Sequence, residues 1–112
     1  MQSNQFLIYG ANGYTGQIIS KLAVELDLNP VLAGRNKPAI QLLSSELHLP
    51  YRIIDLDDEM TLQKNLADVA LVLHAAGPFQ LTARPMMEAC IATGTHYLDI
   101  TGEIPVFEMA KT

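Results

Sequence analysis

Tryptophan is absent from these 112 residues, and cysteine occurs once, as Cys90. A lone cysteine excludes an internal disulfide and a multi-cysteine zinc site, and it suits a reducing compartment. Basic residues are scarce: seven Lys and Arg against twelve Asp and Glu give a net charge of −5. A nucleic acid needs a basic face to neutralise its phosphates, so no such partner is expected. No apolar run approaches the ~20 residues that span a bilayer. The opening MQSNQFLIYG lacks both the basic and the long apolar stretch of a secretory signal. The expectation is a cytoplasmic protein with no membrane contact and no metal site. What is present is a globular balance, 49% apolar and 17% charged, over a length that suits one domain. Residues 1–112 therefore read as a single unit.

Short apolar segments alternate with segments of helical spacing. QFLIY at Gln5–Tyr9 and VLAG at Val31–Gly34 are continuously apolar, as strands covered on both faces are. YRIIDL, VALVLHAA and THYLDI add a third, fourth and fifth strand. Between the first two, Ile18, Ile19, Leu22, Ala23 and Leu26 recur as the buried stripe of a helix, with Gln17, Lys21 and Glu25 facing elsewhere. Asn36 is placed to cap a second helix, with Pro38 in its first turn and Ile40, Leu43 and Leu47 buried. A weaker third helix covers roughly 58–66. A fourth begins at Thr82 or Ala83 with Pro85 in its first turn and stops at Gly94. EIPVFEMA, near the end of the chain, reads as the start of a fifth. Strand–helix alternation with short connections predicts an α/β fold: a doubly wound parallel sheet of Rossmann type, order 3-2-1-4-5, with helices on both faces. A flavodoxin-like order, 2-1-3-4-5, is the alternative.

The stretch YGANGYTGQI favours the first order. Its three glycines, Gly10, Gly13 and Gly16, fall where strand one ends and helix one begins. There the free N–H groups and the positive end of the helix dipole face an anion. Gly10 permits the turn, Gly13 lets the backbone approach a pyrophosphate, and Gly16 lets the helix pack on the sheet. Tyr14 and Thr15 supply N–H groups at the helix start, and Asn12 within the turn joins this set of cofactor contacts. The spacing is G-x-x-G-x-x-G, which acquires meaning only from the strand before it and the helix after it.

The residue that closes strand two decides which dinucleotide. In an NAD-binding domain an acidic side chain there holds the ribose diol. This chain has Arg35, in LAGRNK, followed by Asn36 and Lys37. A guanidinium offers a planar fork of donors to a 2′-phosphate, so NADP(H) is preferred to NAD(H). Asp55, at the end of strand three, is placed to meet the adenine amino group. The rest of DLDDE reads as helix capping and an acidic first turn. Ala75, Ala76, Gly77 and Pro78 are small enough to let the second ribose and the phosphates cross the sheet edge at the switch point.

Other chemistry-bearing residues read as structure. His74, within the apolar fourth strand, is a core histidine, and Cys90 a buried thiol. Met86, Met87 and Ile91 read as core or domain interface. Alternation puts Tyr97 and Asp99 on one face of strand five and His96 on the other. Asp99 and Glu103 are the candidates for lining an active cleft. The Tyr-x-x-x-Lys pair of short-chain dehydrogenases is missing.

Together FLIYGANGYTG, PVLAGRN, LVLHAAGPF and GTHYLDITGE resemble the N-terminal cofactor domain of the saccharopine dehydrogenase-like family, including its trans-acting enoyl reductase members. The resemblance covers essentially the whole chain. It implies that Gly10, Gly13 and Gly16 with Tyr14 and Thr15 hold the pyrophosphate. It also implies that Arg35 and Asn36 meet the adenosine phosphate, and that Ala75 to Pro78 border the cofactor. His74 stands where such proteins often carry Asn. The family's members are several times longer, so this chain is expected to be a truncated N-terminal domain, with substrate and dimerisation parts elsewhere. Its fifth strand would then be an exposed edge prone to self-association. The implied function is binding NADP(H) for an oxidoreductase that transfers hydride to a small-molecule substrate. The alternatives are an NADP-binding regulatory sensor resembling the NmrA-like proteins and a semialdehyde-type reductase, which needs a reactive cysteine.

Overall fold

A computed structural model describes residues 5–75 and 79–99. Five strands alternate with four helices: β1 (Phe6–Tyr9), α1 (Tyr14–Glu25), β2 (Val31–Gly34), α2 (Lys37–Leu47), β3 (Tyr51–Ile53), α3 (Glu59–Leu66), β4 (Leu71–His74), α4 (Phe79–Thr93) and β5 (His96–Asp99). The strands form one sheet in the order β3-β2-β1-β4-β5, every neighbouring pair parallel. That order excludes the flavodoxin-like alternative. The winding reverses between β1 and β4, and Tyr9 at the end of β1 stands opposite Ala33 on one side and His74 on the other.

Alternation along β1 and β2 feeds two cores. Leu7, Tyr9, Val31 and Ala33 point to the face where Leu62 and Leu66 of α3 meet Met86, Ala89 and Cys90 of α4. Ile8 and Leu32 point to the opposite face, against Ile40 and Leu43 of α2. Each such side chain, fully buried, contributes roughly 1.5–3 kcal/mol. Caps set two of the helices. Asn36 accepts the Ala39 N–H at 3.1 Å for α2, and Asp58 accepts the Thr61 N–H at 3.2 Å for α3. Arg52 of β3 holds Asp68 through two bonds of 2.8 and 2.7 Å, pinning the edge strand to the α3–β4 turn.

Two expectations are corrected. α1 does not bury Ile18, Leu22 and Leu26, which are exposed; it turns Gly16, Ser20 and Ala23 to the sheet. Small residues win that face because they let the helix axis come closer. The Ser20 hydroxyl, buried with them, is satisfied by donating to the Gly16 carbonyl at 2.6 Å. α4 begins at Phe79, so Pro85 lies in its interior and not its first turn. A proline there removes one helical hydrogen bond and costs ~3 kcal/mol, a loss the burial of Met86, Ala89 and Cys90 offsets. Of the predicted apolar group on α4, Met86 is core, whereas Met87 and Ile91 are exposed. The helix read in EIPVFEMA lies outside the described residues.

Candidate functional site

The β1–α1 turn is held rigidly from below. Gly10, at φ +83°, adopts a left-handed conformation that directs its N–H to the Ala33 carbonyl at 2.8 Å, and the Ala11 N–H shares that acceptor at 3.1 Å. The Gly13 N–H returns to the Gly10 carbonyl at 3.0 Å. Gly16 then packs on the turn so closely that a Cβ there would lie 2.1 Å from the Gly10 oxygen and 2.8 Å from Ala11 Cα. Gln17 closes the loop by donating from Nε2 to the Asn12 carbonyl at 2.8 Å.

Above this floor the helix end is open. α2 and α3 have side-chain caps; α1 has Gly13 at its N-cap and no side-chain bond. The N–H groups of Tyr14, Thr15 and Gly16 have no acceptor among the described residues. Three donors and the positive dipole end thus face the space beside Gly13. The Tyr14 ring projects into solvent.

The β2–α2 turn lies alongside. The Asn12 side-chain oxygen sits 3.1 Å from where a Cβ on Gly34 would be, so the glycine turn abuts the end of β2. Arg35, Asn36 and Lys37 follow, all exposed. The Asn36 oxygen is taken by the α2 cap. Asp55, also exposed, accepts the Asp57 N–H at 2.9 Å through Oδ1, a local turn that leaves Oδ2 without a hydrogen bond among the described residues. Arg35 of the β2–α2 turn, and Asp55 and Asp57 of the β3–α3 turn, all act electrostatically on the Tyr9 phenol, so both turns lie near the carboxyl end of β1.

Tyr9 itself was not singled out from the sequence, where it is one more apolar strand residue. It is buried, donates to the Ile54 carbonyl at 3.1 Å and meets the His74 ring edge-on at 5.8 Å. His74 in turn lies edge-on to Tyr97, with Nδ1 2.8 Å from the Tyr97 hydroxyl. The expected core histidine is therefore one member of an aromatic row across β1, β4 and β5. Burial pushes the Tyr9 phenol up to about 12, against the pull of Arg35. Between about pH 10 and 12 the unfolded chain releases this proton and the folded chain keeps it, so stability falls as pH rises. Two units correspond to roughly 2–3 kcal/mol. Urea melts at pH 10 and above should show this loss, and Tyr9→Phe should be less steep by about that amount; equal slopes would refute the assignment.

Other predicted residues divide. Ala75 is buried and donates its N–H to the Tyr9 carbonyl at 2.9 Å, which places the start of the AAGPF loop at the β1–β4 crevice. Ala76, Gly77, Pro78 and Glu103 lie outside the described residues, as does the Asp99 side chain. Tyr97 packs on the α3–α4 core and His96 is exposed, the split that alternation predicts. Cys90 is buried, and burial pushes its thiol up to about 11, so it lacks the thiolate a semialdehyde-type reductase needs.

Known proteins resemble this chain over most of its length. The family model for the saccharopine dehydrogenase NADP binding domain matches residues 6–110. A saccharopine dehydrogenase-like oxidoreductase of Rattus norvegicus is 30% identical, covering 94% of this chain and 29% of its own length. A trans-acting enoyl reductase of Mycobacterium leprae is 30% identical, covering 88% of this chain and 25% of its own. The apo saccharopine dehydrogenase (L-Glu forming) of Saccharomyces cerevisiae superposes with a TM-score of 0.75 at 23% identity, covering 85% of this chain and 21% of that one, a likeness of fold. The chain thus spans less than a third of the length of these relatives. It belongs to the saccharopine dehydrogenase NADP-binding-domain family.

Proposed function

We propose that this chain binds NADP(H) across the carboxyl edge of its sheet and positions it for an oxidoreductase. The diphosphate would lie beside Gly13, accepting from the Tyr14, Thr15 and Gly16 amides. Arg35 and Lys37 would meet the 2′-phosphate, with Asn36 donating from its amide nitrogen and Asp55 Oδ2 accepting from the adenine amino group. Gly10 and Asn12 shape the turn, and Ala75 to Pro78 would border the nicotinamide half at the β1–β4 crevice. When bound, the cofactor supplies the hydride chemistry; this chain supplies orientation. The length by which the relatives exceed it would carry the substrate site and the catalytic acid. A cytoplasmic setting and self-association belong to the same reading.

One observation carries this reading. Gly13 has an ordinary backbone conformation, φ −75° and ψ 173°, and a Cβ there would meet only the Gly10 oxygen, at 3.4 Å. Nothing within the described fold needs a glycine at that position. A ligand pressed against the backbone does need one. Gly13→Ala should therefore change folding stability by less than ~1 kcal/mol, because the methyl group meets a single atom, at an ordinary contact distance. It should weaken NADPH binding at least ~tenfold, through displacement of a diphosphate from its charge-assisted amide contacts. Fluorescence titration beside a thermal melt reads both. Unchanged affinity with unchanged stability would remove the diphosphate from this corner.

A further inference from the structure

Asp55 is held at three points. Its Oδ1 accepts the Asp57 amide at 2.9 Å, and its main-chain carbonyl accepts the Asp58 amide at 3.2 Å. Both bonds are local and travel with the β3–α3 turn. The third comes from across the sheet. The Tyr9 hydroxyl donates to the Ile54 carbonyl at 3.1 Å, and that carbonyl shares a peptide group with the Asp55 nitrogen. A peptide group is planar, so a bond to its oxygen fixes the direction in which residue 55 leaves it. The Ile54 amide, bonded to the Gly34 carbonyl at 2.9 Å, holds the other side of that residue, but this bond needs only backbone. It would form with any side chain at position 9.

Tyr9 reaches past a strand to make its bond. β2 lies between β1 and β3, and on the face of α3 and α4 its end carries Ala33, the register partner of Tyr9, whose methyl group leaves room for the ring. Tyr9 and Ile54 are both buried on that face. Phenylalanine would fill the same space with no polar group to satisfy, so what the hydroxyl adds is its grip on the 54–55 peptide. Tyr9 also precedes Gly10, where the glycine turn opens. One residue thus joins the diphosphate turn, through its backbone, to the Asp55 carboxylate, through its side chain.

We propose that Tyr9 is a positioning residue for base recognition: its hydroxyl, by holding the Ile54–Asp55 peptide, aims Asp55 Oδ2 at the 6-amino group of adenine. The chain then prefers an adenine dinucleotide to one whose base lacks that donor. This role rests on the cofactor reading above and extends it from residues that touch the ligand to one that does not. Without the hydroxyl, the buried Ile54 carbonyl loses this donor, the 54–55 peptide turns toward another, and Asp55 turns with it. Arg35 and the Tyr14, Thr15 and Gly16 amides belong to other turns and keep their places, so the loss falls on the base.

Fluorescence titration of the 112-residue chain at neutral pH tests it, with circular dichroism confirming that each variant folds. The two ligands are NADPH and its hypoxanthine analogue, in which a carbonyl oxygen replaces the 6-amino group. Wild type should bind NADPH at least ~tenfold tighter than the analogue, and Asp55→Ala should remove the preference. Tyr9→Phe should narrow it to ~threefold or less by weakening NADPH alone, the analogue staying within about twofold. Coupling is reciprocal, so in the wild-type chain NADPH should slow exchange of the Tyr9 hydroxyl proton, followed by NMR, at least ~threefold more than the analogue does. A wild-type chain without the preference, or an Asp55→Ala variant that keeps it, would overturn the adenine contact and this role together. A preference lost in Asp55→Ala but intact in Tyr9→Phe would overturn this role alone. So would a Tyr9→Phe variant that weakens both ligands equally, or equal slowing of the hydroxyl proton by the two.

Discussion

Gly16→Ala should leave little folded protein, although it adds one methyl group to a residue at the start of a helix. Alanine is otherwise the better helix former by ~1 kcal/mol, so propensity alone predicts a gain. Geometry predicts the reverse. The new Cβ would sit 2.1 Å from the Gly10 oxygen and within 3 Å of Ala11 Cα and carbonyl carbon, all of them backbone atoms. The turn cannot withdraw, because the Gly10 and Ala11 amides are both tied to the Ala33 carbonyl and Ala11 is fully buried. The helix cannot withdraw without opening the Gly16–Ser20–Ala23 contact with the sheet. A clash with no flexible partner costs at least ~3 kcal/mol, a large fraction of the ~5–15 kcal/mol that holds a domain. Denaturant melts should show that loss or no transition at all; a loss below ~1 kcal/mol would show that the turn relaxes. Gly13→Ala, three residues away, is the control. One glycine serves the fold, and its neighbour is free to serve a ligand.

These same residues show what was legible in the sequence. Strand and helix alternation, the caps at Asn36 and Asp58, and the placement of Tyr97 against His96 follow from local rules that act on the residue itself. Side-chain oxygens capture nearby amides, and strands alternate. The face of α1 was misread because hydrophobic periodicity weighs only which residues avoid water. Ile18, Leu22 and Leu26 make the more apolar stripe, yet distance to the sheet is set at Gly16, and a close approach rewards small side chains over large ones. The interior Pro85 was misread for a similar reason, since a breaker rule has no knowledge of the tertiary burial that overrides it. The row Tyr9–His74–Tyr97 was invisible because it joins three strands whose adjacency only topology supplies. At the candidate site the sequence revealed the donors and the cation. It could not reveal that Asn12 reaches the end of β2, which brings the glycine turn and the Arg35 turn together.

That juxtaposition makes cofactor choice the second large effect. Arg35→Ala should weaken NADPH binding by ten- to a hundredfold, corresponding to the ~1.5–3 kcal/mol of a charge-assisted hydrogen bond, and should leave NADH binding within about twofold. The asymmetry follows from where Arg35 stands. It is exposed beyond the end of β2 and has no hydrogen bond or ion pair among the described residues, so its removal leaves the fold intact. Only the phosphorylated ribose carries a charge for it to meet. Lys37, the first residue of α2, should contribute less, because an ammonium presents a point charge where a guanidinium presents a fork. Titrating the two cofactors against wild type, Arg35→Ala and Lys37→Ala separates the possibilities. Equal losses for NADPH and NADH would make Arg35 a general anchor and not a phosphate reader. A loss confined to Lys37→Ala would move the 2′-phosphate to the first turn of α2, where the amide end of that helix, already capped by Asn36, has less to offer it.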